Sequence, residues 1–285
     1  MFQRPRNPLR NRLTLCIAWT HTAYTWARAE ANSETAPIVT SLELSRFEAI
    51  LFDLDSTLTH TGEYAFKACE WLLSKTAEDT SDIRESYFRS LFSNYRVEIE
   101  RIVDGAPYIT PTECVRNALR KSLEDVGLVV INTLLDEVTD MFRRLHVELS
   151  KPMPGTEDLL QRLSADGIKM GVITNSFVGA VKTILGGFDL TEFFTILVEP
   201  GDMNAFKPMP EIFEYAMTEL EVSKNEVLFV GDEYYADIVG AARAGIPSVW
   251  VNIRGSSYEK SLAKYGDDTA PLLVFGTLAE FGDHI

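Results

Sequence analysis

The segment Ala49-Ile-Leu-Phe-Asp-Leu-Asp-Ser-Thr57 decides the fold of this 285-residue chain. Its four leading apolar residues predict a buried β-strand. The strand is followed at once by the carboxylates of Asp53 and Asp55 and by the hydroxyl of Thr57. Burying carboxylates costs free energy that packing does not require, so a ligand or a metal is expected to offset it.

Three further polar residues occupy comparable places later in the chain. Thr174, Lys207 and Asp232 each follow a short run that is largely apolar. In an open parallel sheet, ligands collect beyond the carboxyl ends of the strands, so Asp53, Thr174 and Asp232 are expected to converge in one crevice. Two carboxylates, a hydroxyl and an ammonium group in one crevice indicate a site for phosphoryl transfer.

The pattern of apolar strands alternating with amphipathic helices predicts an α/β fold, with a Rossmann-like three-layer core built on a mostly parallel sheet. The predicted strands are 48–53, 168–174, 195–198, 226–231 and 248–252. The predicted core helices are 156–166, 177–186, 209–220 and 236–244.

An inserted domain is expected between the first two strands. They are separated by about 110 residues, whereas a crossover needs only ~10–12. The interval predicts the helices Ala65–Ser74, Ser81–Phe92, Tyr95–Val103, Pro111–Val126 and Ile131–Leu149. The predicted organisation is an N-terminal extension over 1–44, a core over 45–59 and 150–285, and an α-helical cap over 60–149.

Four motifs in this order resemble those of the haloacid dehalogenase superfamily, in its phosphatase branch with a small α-helical cap after the first motif. The motifs are Phe52-Asp-Leu-Asp-Ser-Thr-Leu58, Val172-Ile-Thr-Asn-Ser176, Phe206-Lys-Pro-Met-Pro-Glu-Ile-Phe213 and Val230-Gly-Asp-Glu-Tyr-Tyr-Ala-Asp237. The resemblance spans roughly residues 47–253, and the motifs are specific in combination.

The resemblance implies a catalytic role for each aspartate of the first motif. Asp53 is the expected nucleophile, which attacks phosphorus and forms an aspartyl-phosphate. Asp55 is expected to protonate the leaving oxygen and then to deprotonate water. Mg²⁺ is the implied cofactor, held by Asp53, the backbone carbonyl of Asp55 and Asp232.

The remaining motif residues are expected to bind phosphate or to support the site. Lys207, Thr174 and Asn175 form the expected phosphate site, although Asn175 is equally compatible with shaping its loop. Thr57 either orients a neighbour or caps a turn, and Asp237 either assists the metal through water or fixes Lys207.

The implied function is a Mg²⁺-dependent phosphatase that hydrolyses a small phosphomonoester. A phosphomutase and a 2-haloacid dehalogenase are the alternatives within the superfamily, and a non-catalytic binding protein is the alternative outside it. The dehalogenase is disfavoured because halide leaves without a proton and without a metal, whereas this chain has Asp55 and Gly231-Asp232. The cap residues Glu63, Tyr95, Arg96 and Arg101 are possible substrate contacts, although a charged helix face exposed to water explains each of them better.

Composition and charge restrict the partners. The formal net charge of −15 argues against nucleic acid, which proteins hold with basic patches, and leaves a small phosphorylated metabolite as the expected partner. No apolar stretch reaches the ~18 residues of a membrane span, so no membrane partner is expected. Cys16, Cys69 and Cys114 show no metal-binding spacing and are interpreted as free thiols. The oligomeric state is left open.

The first 44 residues contain five arginines and, up to Ala29, no acidic residue. Three interpretations are compatible with this composition: an organellar transit peptide, a secretory signal ending near Ala27-Arg-Ala29, or a leader without a targeting role, which includes an assigned start too far upstream. The expected location is therefore cytoplasmic, or organellar if a transit peptide is present.

Overall fold

The computed structural model describes residues 42–61, 63–76 and 80–285. The predicted targeting segment and Cys16 lie outside these residues. Within them, six strands form one parallel sheet in the order β5-β4-β1-β6-β7-β8. The strands are β1 Ala49–Phe52, β4 Lys169–Ile173, β5 Ile196–Val198, β6 Val227–Gly231, β7 Ser248–Val251 and β8 Leu273–Phe275, and a separate ribbon joins β2 Thr59–His60 to β3 Lys151–Pro152.

The first strand lies at the centre of the sheet. It pairs in register with β4 on one side and with β6 on the other, and all four of its residues are fully buried. Helices cover both faces of the sheet, which is why its strands are continuously apolar rather than alternating. The α/β fold and the five predicted strands are confirmed, while β8 lies beyond the last predicted strand and was not predicted.

Helices make up most of the remaining described structure. They are α1 Tyr64–Leu73, α2 Ser81–Val103, α3 Pro111–Asp125, α4 Asn132–Leu149, α5 Thr156–Ala165, α6 Ala180–Gly186, α7 Pro200–Met203, α8 Pro210–Leu220, α9 Gly240–Ala244, α10 Tyr258–Tyr265 and α11 Leu278–His284. None of those described is long and apolar enough to cross a membrane.

The prediction of two helices over Ser81–Phe92 and Tyr95–Val103 was wrong, because α2 runs without a break through both. The polar residue Asn94 lies at the expected break, and its amide donates to the hydroxyls of Ser90 and Ser122 and to a carboxylate oxygen of Asp125. Two of these partners belong to α3, so the side chain that suggested a loop binds the neighbouring helix instead.

The helical insertion joins the core through two adjacent passages of chain. The outgoing residues Thr59–His60 pair antiparallel with the returning residues Lys151–Pro152. The hydroxyl of Thr156 also donates to the backbone oxygen of Leu58. The segment predicted as the cap therefore leaves and re-enters the core at one place, beside the loop that carries Asp53 and Asp55.

Two core helices differ from the prediction, one in its first residue and the other in its helix type. Helix α6 begins at Ala180 rather than at 177, because Gly179 has a left-handed φ of 82° and the Glu199 carboxylate accepts from the amides of Gly179 and Val181. The predicted helix 236–244 is a π-helix over Tyr234–Val239 that continues into α9. Residues beyond 253 also form α10 and α11, which the sequence pattern did not predict.

Candidate active site

A buried ion cluster lies at the carboxyl ends of β1 and β6. The ammonium nitrogen of Lys207 lies 2.6 Å from Oδ1 of Asp53 and 2.8 Å from Oδ1 of Asp237. The Lys207 and Asp237 side chains are each 1% exposed, and that of Asp53 is 8% exposed. The structure therefore brings together three residues that are 154 and 30 positions apart in the chain.

The charges of this cluster are incompletely balanced. Burial raises the pKa of the Asp53 carboxyl well above its usual range, although Lys207 opposes the shift. Burial also acts to lower the pKa of Lys207, but the carboxylates of Asp237 and Asp53 outweigh it and raise that pKa. Lys207 thus remains protonated. Its single positive charge does not balance the negative charges of the carboxylates that are buried with it.

Asp232 adds a further carboxylate to the cluster. Its Oδ2 lies 2.8 Å from a guanidinium nitrogen of Arg254, and its backbone oxygen accepts from the indole of Trp250. Burial raises the pKa of Asp232 to about 7 despite the opposing charge of Arg254. Asp232 is held at the end of β6 by contacts from the segment that contains β7 and the loop after it.

The donor atoms fit a hard divalent cation. Asp53, Asp232 and Asp237 each offer one carboxylate oxygen, and these oxygens lie within 4.8 Å of one another. Oδ2 of Asp53 is buried and has no hydrogen-bond partner among the described residues. Carboxylate oxygens are the ligands that Mg²⁺ takes in proteins, so this set of donors is compatible with the metal.

Glycine is required beside this cluster. A Cβ added at Gly231 would lie 2.5 Å from Cγ of Asp237, closer than any side chain tolerates. Oδ2 of Asp237 accepts from the backbone amide of Glu233, which fixes the carboxylate against the strand end. The absence of a side chain at Gly231 therefore allows Asp237 to approach the backbone at the end of β6 and to reach Lys207.

The loop after β4 carries Thr174 and Asn175. The hydroxyl of Thr174 is buried and accepts from the amide of Ser176. The Asn175 side chain makes two hydrogen bonds to the backbone of Lys207, at 2.8 Å to its amide and 2.9 Å to its oxygen. Of the two roles considered for Asn175, this geometry favours shaping the loop, because it ties the lysine to β4.

Asp55 lies on the tight turn after β1 and contacts the helical insertion. Its Oδ1 lies 2.8 Å from Nε2 of His146 on α4, and its side chain is 29% exposed. The next residue, Ser56, has a left-handed φ of 71°, which turns the chain back. The backbone of Asp55 consequently forms an isolated β-bridge with that of Thr59. Asp55 therefore lies outside the buried ion cluster and is more exposed than its members.

Two other residues of the motifs, Thr57 and Glu233, differ in their contacts. The hydroxyl of Thr57 is buried and has no hydrogen-bond partner within the described part of the chain, so neither role considered for it is visible. Glu233 accepts from the amide of Ala236 and lies 3.7 Å from Arg96 of α2. Glu233 thus caps the π-helix and contacts the helical insertion.

The cap residues considered as substrate contacts divide into two groups. Glu63 and Arg101 form ion pairs with residues one turn away on the same exposed helix faces. Arg96 donates to the hydroxyl of Tyr265 in the core, and Tyr95 packs against an apolar cluster that includes Phe206 of the core. Arg96 and Tyr95 therefore lie on the side of α2 that faces the core.

His146 and Arg254 were not singled out from the sequence. Arg254 follows a predicted strand, so the rule that collected Thr174 and Asp232 also applies to it. His146 lies on a helix of the insertion, 91 residues from Asp55, and the sequence carries no signal that the two meet.

An α/β core with a buried carboxylate cluster at the strand ends and a helical insertion defines a class of hydrolases. The family model for haloacid dehalogenase-like hydrolases matches residues 50–251, and the chain belongs to this family. Among curated proteins, the chain is 27% identical over 219 residues to pyrophosphatase PpaX of Bacillus cereus strain ATCC 10987 / NRS 248, covering 75% of this chain and 88% of that protein. The same identity and coverage hold for pyrophosphatase PpaX of Bacillus thuringiensis strain Al Hakam.

Solved structures share the fold. A putative HAD-hydrolase, YfnB of Bacillus subtilis, bound to magnesium, matches with a TM-score of 0.67 and 22% identity, covering 83% of this chain and 97% of that one. A predicted phosphoglycolate phosphatase of Haemophilus somnus 129pt matches with a TM-score of 0.62 and 19% identity, covering 83% and 96%. The L-2-haloacid dehalogenase of Xanthobacter autotrophicus matches with a TM-score of 0.60 and 18% identity, covering 83% and 97%.

Proposed function

We propose that this hydrolase is a Mg²⁺-dependent phosphatase that cleaves a small phosphomonoester through an aspartyl-phosphate. The observation that carries the proposal is the state of Asp53. One of its oxygens is held by Lys207 at 2.6 Å, while the other is buried without a hydrogen-bond partner among the described residues. Lys207 fixes the orientation of this carboxylate, and the unpaired oxygen keeps a free lone pair, as a nucleophile requires.

In the first step, Oδ2 of Asp53 attacks phosphorus, and the bond between phosphorus and the ester oxygen breaks. Asp55 donates its proton to the departing oxygen, which leaves as an alcohol. Lys207 keeps the nucleophile oriented and reduces its repulsion with the phosphate, which at 4 Å costs ~4 kcal/mol per pair of unit charges at an effective dielectric near 20.

In the second step, water attacks the phosphorus of the aspartyl-phosphate and the bond to Oδ2 breaks. Asp55, now a carboxylate, accepts the proton of the attacking water. Asp53 is regenerated and inorganic phosphate is released. Thr174 lies at the adjacent strand end, and we assign it, with the backbone amides that follow, to the phosphate oxygens.

The metal is part of the proposal. Asp53, Asp232 and the backbone carbonyl of Asp55 are the proposed ligands, with Asp237 either at the metal through water or confined to Lys207. When bound, Mg²⁺ supplies the positive charge that the buried carboxylates lack and stabilises the charge on the transferring phosphoryl group. The short contact between Asp237 and Lys207 favours the second role for Asp237.

Dehalogenation fits the site less well. A halide leaves as an anion, so its displacement needs neither a proton donor nor a cation on the leaving group. Here Asp55 is a partly exposed carboxyl two residues from Asp53 that can act as the acid, and Asp232 joins two other buried carboxylates. These groups have a chemical use in phosphoryl transfer, where charge builds on oxygen.

Inorganic pyrophosphate is a second candidate substrate. The observation that favours it is the 27% identity to proteins named pyrophosphatase PpaX over 75% of the chain. The same two steps would cleave its anhydride bond, with phosphate as the first leaving group.

The test is hydrolysis of p-nitrophenyl phosphate by protein treated with EDTA and then dialysed. We expect no turnover until Mg²⁺ is added and full recovery afterwards; activity indifferent to chelation would remove the metal from the mechanism. Ligand binding without turnover would favour a non-catalytic scaffold. A panel of phosphomonoesters and pyrophosphate, scored for inorganic phosphate, then separates the substrate classes, and a phosphomutase would give an isomeric ester instead.

A further inference from the structure

His146 is a buried polar side chain with both of its ring nitrogens in hydrogen bonds. Nε2 lies 2.8 Å from Oδ1 of Asp55, and Nδ1 lies 3.3 Å from the hydroxyl of Ser176. The side chain is 1% exposed. A buried imidazole that only filled space would be replaced without loss by an apolar residue, whereas this one satisfies both nitrogens with residues of the site.

The ring itself is held in a fixed orientation. It packs against Tyr64 with ring centroids 4.9 Å apart and against Phe177 with centroids 5.7 Å apart. Tyr64 belongs to the helical insertion, while Phe177 follows the loop after β4 that carries Thr174 and Asn175. These ring contacts and the two hydrogen bonds hold the His146 ring with Nε2 directed at Asp55.

Asp55 needs such a partner more than Asp53 does. Asp53 is held by Lys207 within the buried cluster, while the Asp55 side chain is 29% exposed on a turn with a left-handed residue beside it. A carboxyl group with free rotation about its side-chain bonds spends little time at the geometry that proton transfer requires. A hydrogen bond on Oδ1 leaves Oδ2 as the oxygen available for proton transfer.

We propose that His146 is a positioning residue for proton transfer, which orients the Asp55 carboxyl from the helical insertion while Ser176 fixes its own ring. The inference rests on the proposed function, because it assigns a role to the acid of that reaction. It adds that the efficiency of the acid depends on a residue supplied by the insertion rather than by the core. Poor leaving groups are consequently cleaved efficiently only when α4 is seated against the first-motif turn.

The experiment compares two amides at one position. His146→Gln places an amide nitrogen near the position of Nε2 and retains the bond to Asp55. His146→Asn places it near Nδ1 and retains only the bond to Ser176. For each variant, kcat/KM is measured with ethyl phosphate and with p-nitrophenyl phosphate, because this parameter reports the step in which the leaving group departs.

We expect H146N to lose about tenfold or more with ethyl phosphate and less than about threefold with p-nitrophenyl phosphate, which departs without a proton. H146Q should retain most of the unsubstituted protein's kcat/KM with ethyl phosphate. In the Asp55→Asn background, His146→Asn should cause no further loss with ethyl phosphate, since the acid that it positions is gone. Thermal melts of all variants establish that they fold.

Equal losses of the two substrates in H146N would overturn the inference and leave His146 as a packing residue. An additional loss in the Asp55→Asn background would also overturn it. If the single variant Asp55→Asn itself lost both substrates equally, the acid assignment in the proposed function would fail. Those outcomes are distinguishable because one depends on Asp55 alone and the others on His146.

Discussion

Two lysines of this protein make ion pairs of nearly the same length in different surroundings. Lys207 lies 2.6 Å from Asp53 with its side chain 1% exposed, and Lys121 lies 2.6 Å from Asp125 on α3 with its side chain 57% exposed. The exposed pair spans one turn of a helix and keeps its contact with water, so it contributes little to stability. The buried cluster removes charges from water at a cost of several kcal/mol per ion.

The difference indicates which ion pair is present for stability and which for chemistry. Replacing a buried ion pair by apolar residues is often neutral or stabilising, so a core does not need one. The cluster around Lys207 lies at the strand ends where ligands bind, and one oxygen of Asp53 remains unpaired among the described residues. Its energetic cost is explained by a function, whereas the Lys121 pair needs no such explanation.

The largest expected effect is on turnover. Asp53→Asn should reduce kcat by at least about a thousandfold, because the amide cannot form the aspartyl-phosphate. Lys207 should keep its pair with Asp237, so the variant is expected to fold. Asp158→Asn on the exposed face of α5 is the control and should retain activity. Near-normal activity of Asp53→Asn would refute the nucleophile assignment and remove the functional reason for the buried cluster.

The second effect is on stability. Lys207→Met should lower the free energy of unfolding by about 3–5 kcal/mol, since it leaves the carboxylates of Asp53 and Asp237 buried without their partner. Chemical denaturation of the metal-free protein measures the loss. An unchanged midpoint would mean that water reaches these carboxylates, and the contrast between buried and exposed pairs would disappear.

The smallest effect is expected for the matched substitution in the helical insertion. Lys121→Met should leave the free energy of unfolding unchanged within experimental error, because Asp125 still accepts from Ser90 and Asn94 and remains solvated. The same denaturation experiment measures it. A loss comparable with that of Lys207→Met would show that distance, rather than burial, determines the contribution of these pairs.

The sheet was largely predictable because buried parallel strands are continuous apolar runs. Five strands were placed to within one or two residues. Because they were predicted to be parallel, Asp53, Thr174 and Asp232 were expected at the same edge of the sheet. The strand Leu273–Phe275 lies beyond the last predicted strand and was not predicted, although β5 is equally short and was predicted. The break predicted at Asn94 failed because a polar side chain inside a helix can bind a neighbouring helix, which a single segment cannot reveal.

The site was predictable where its residues lie in motifs with a local signature and unpredictable where they do not. Asp53 and Lys207 lie in motifs with a local signature, and the structure brings them to 2.6 Å. The chemical roles of these residues remain predictions until the variants are measured. His146 has no local signature, since only the packing of α4 against the core brings it to Asp55.

The sequence by itself determined the α/β fold and the charged groups that gather at the end of its central strand, because side-chain polarity and periodicity act locally. The tertiary structure decided how those charges are paired: Lys207 with two carboxylates, Asp232 with Arg254, and Asp55 with His146. Pairing depends on distances of a few ångströms between segments far apart in the chain, and such distances are set only when the helices and the sheet pack together.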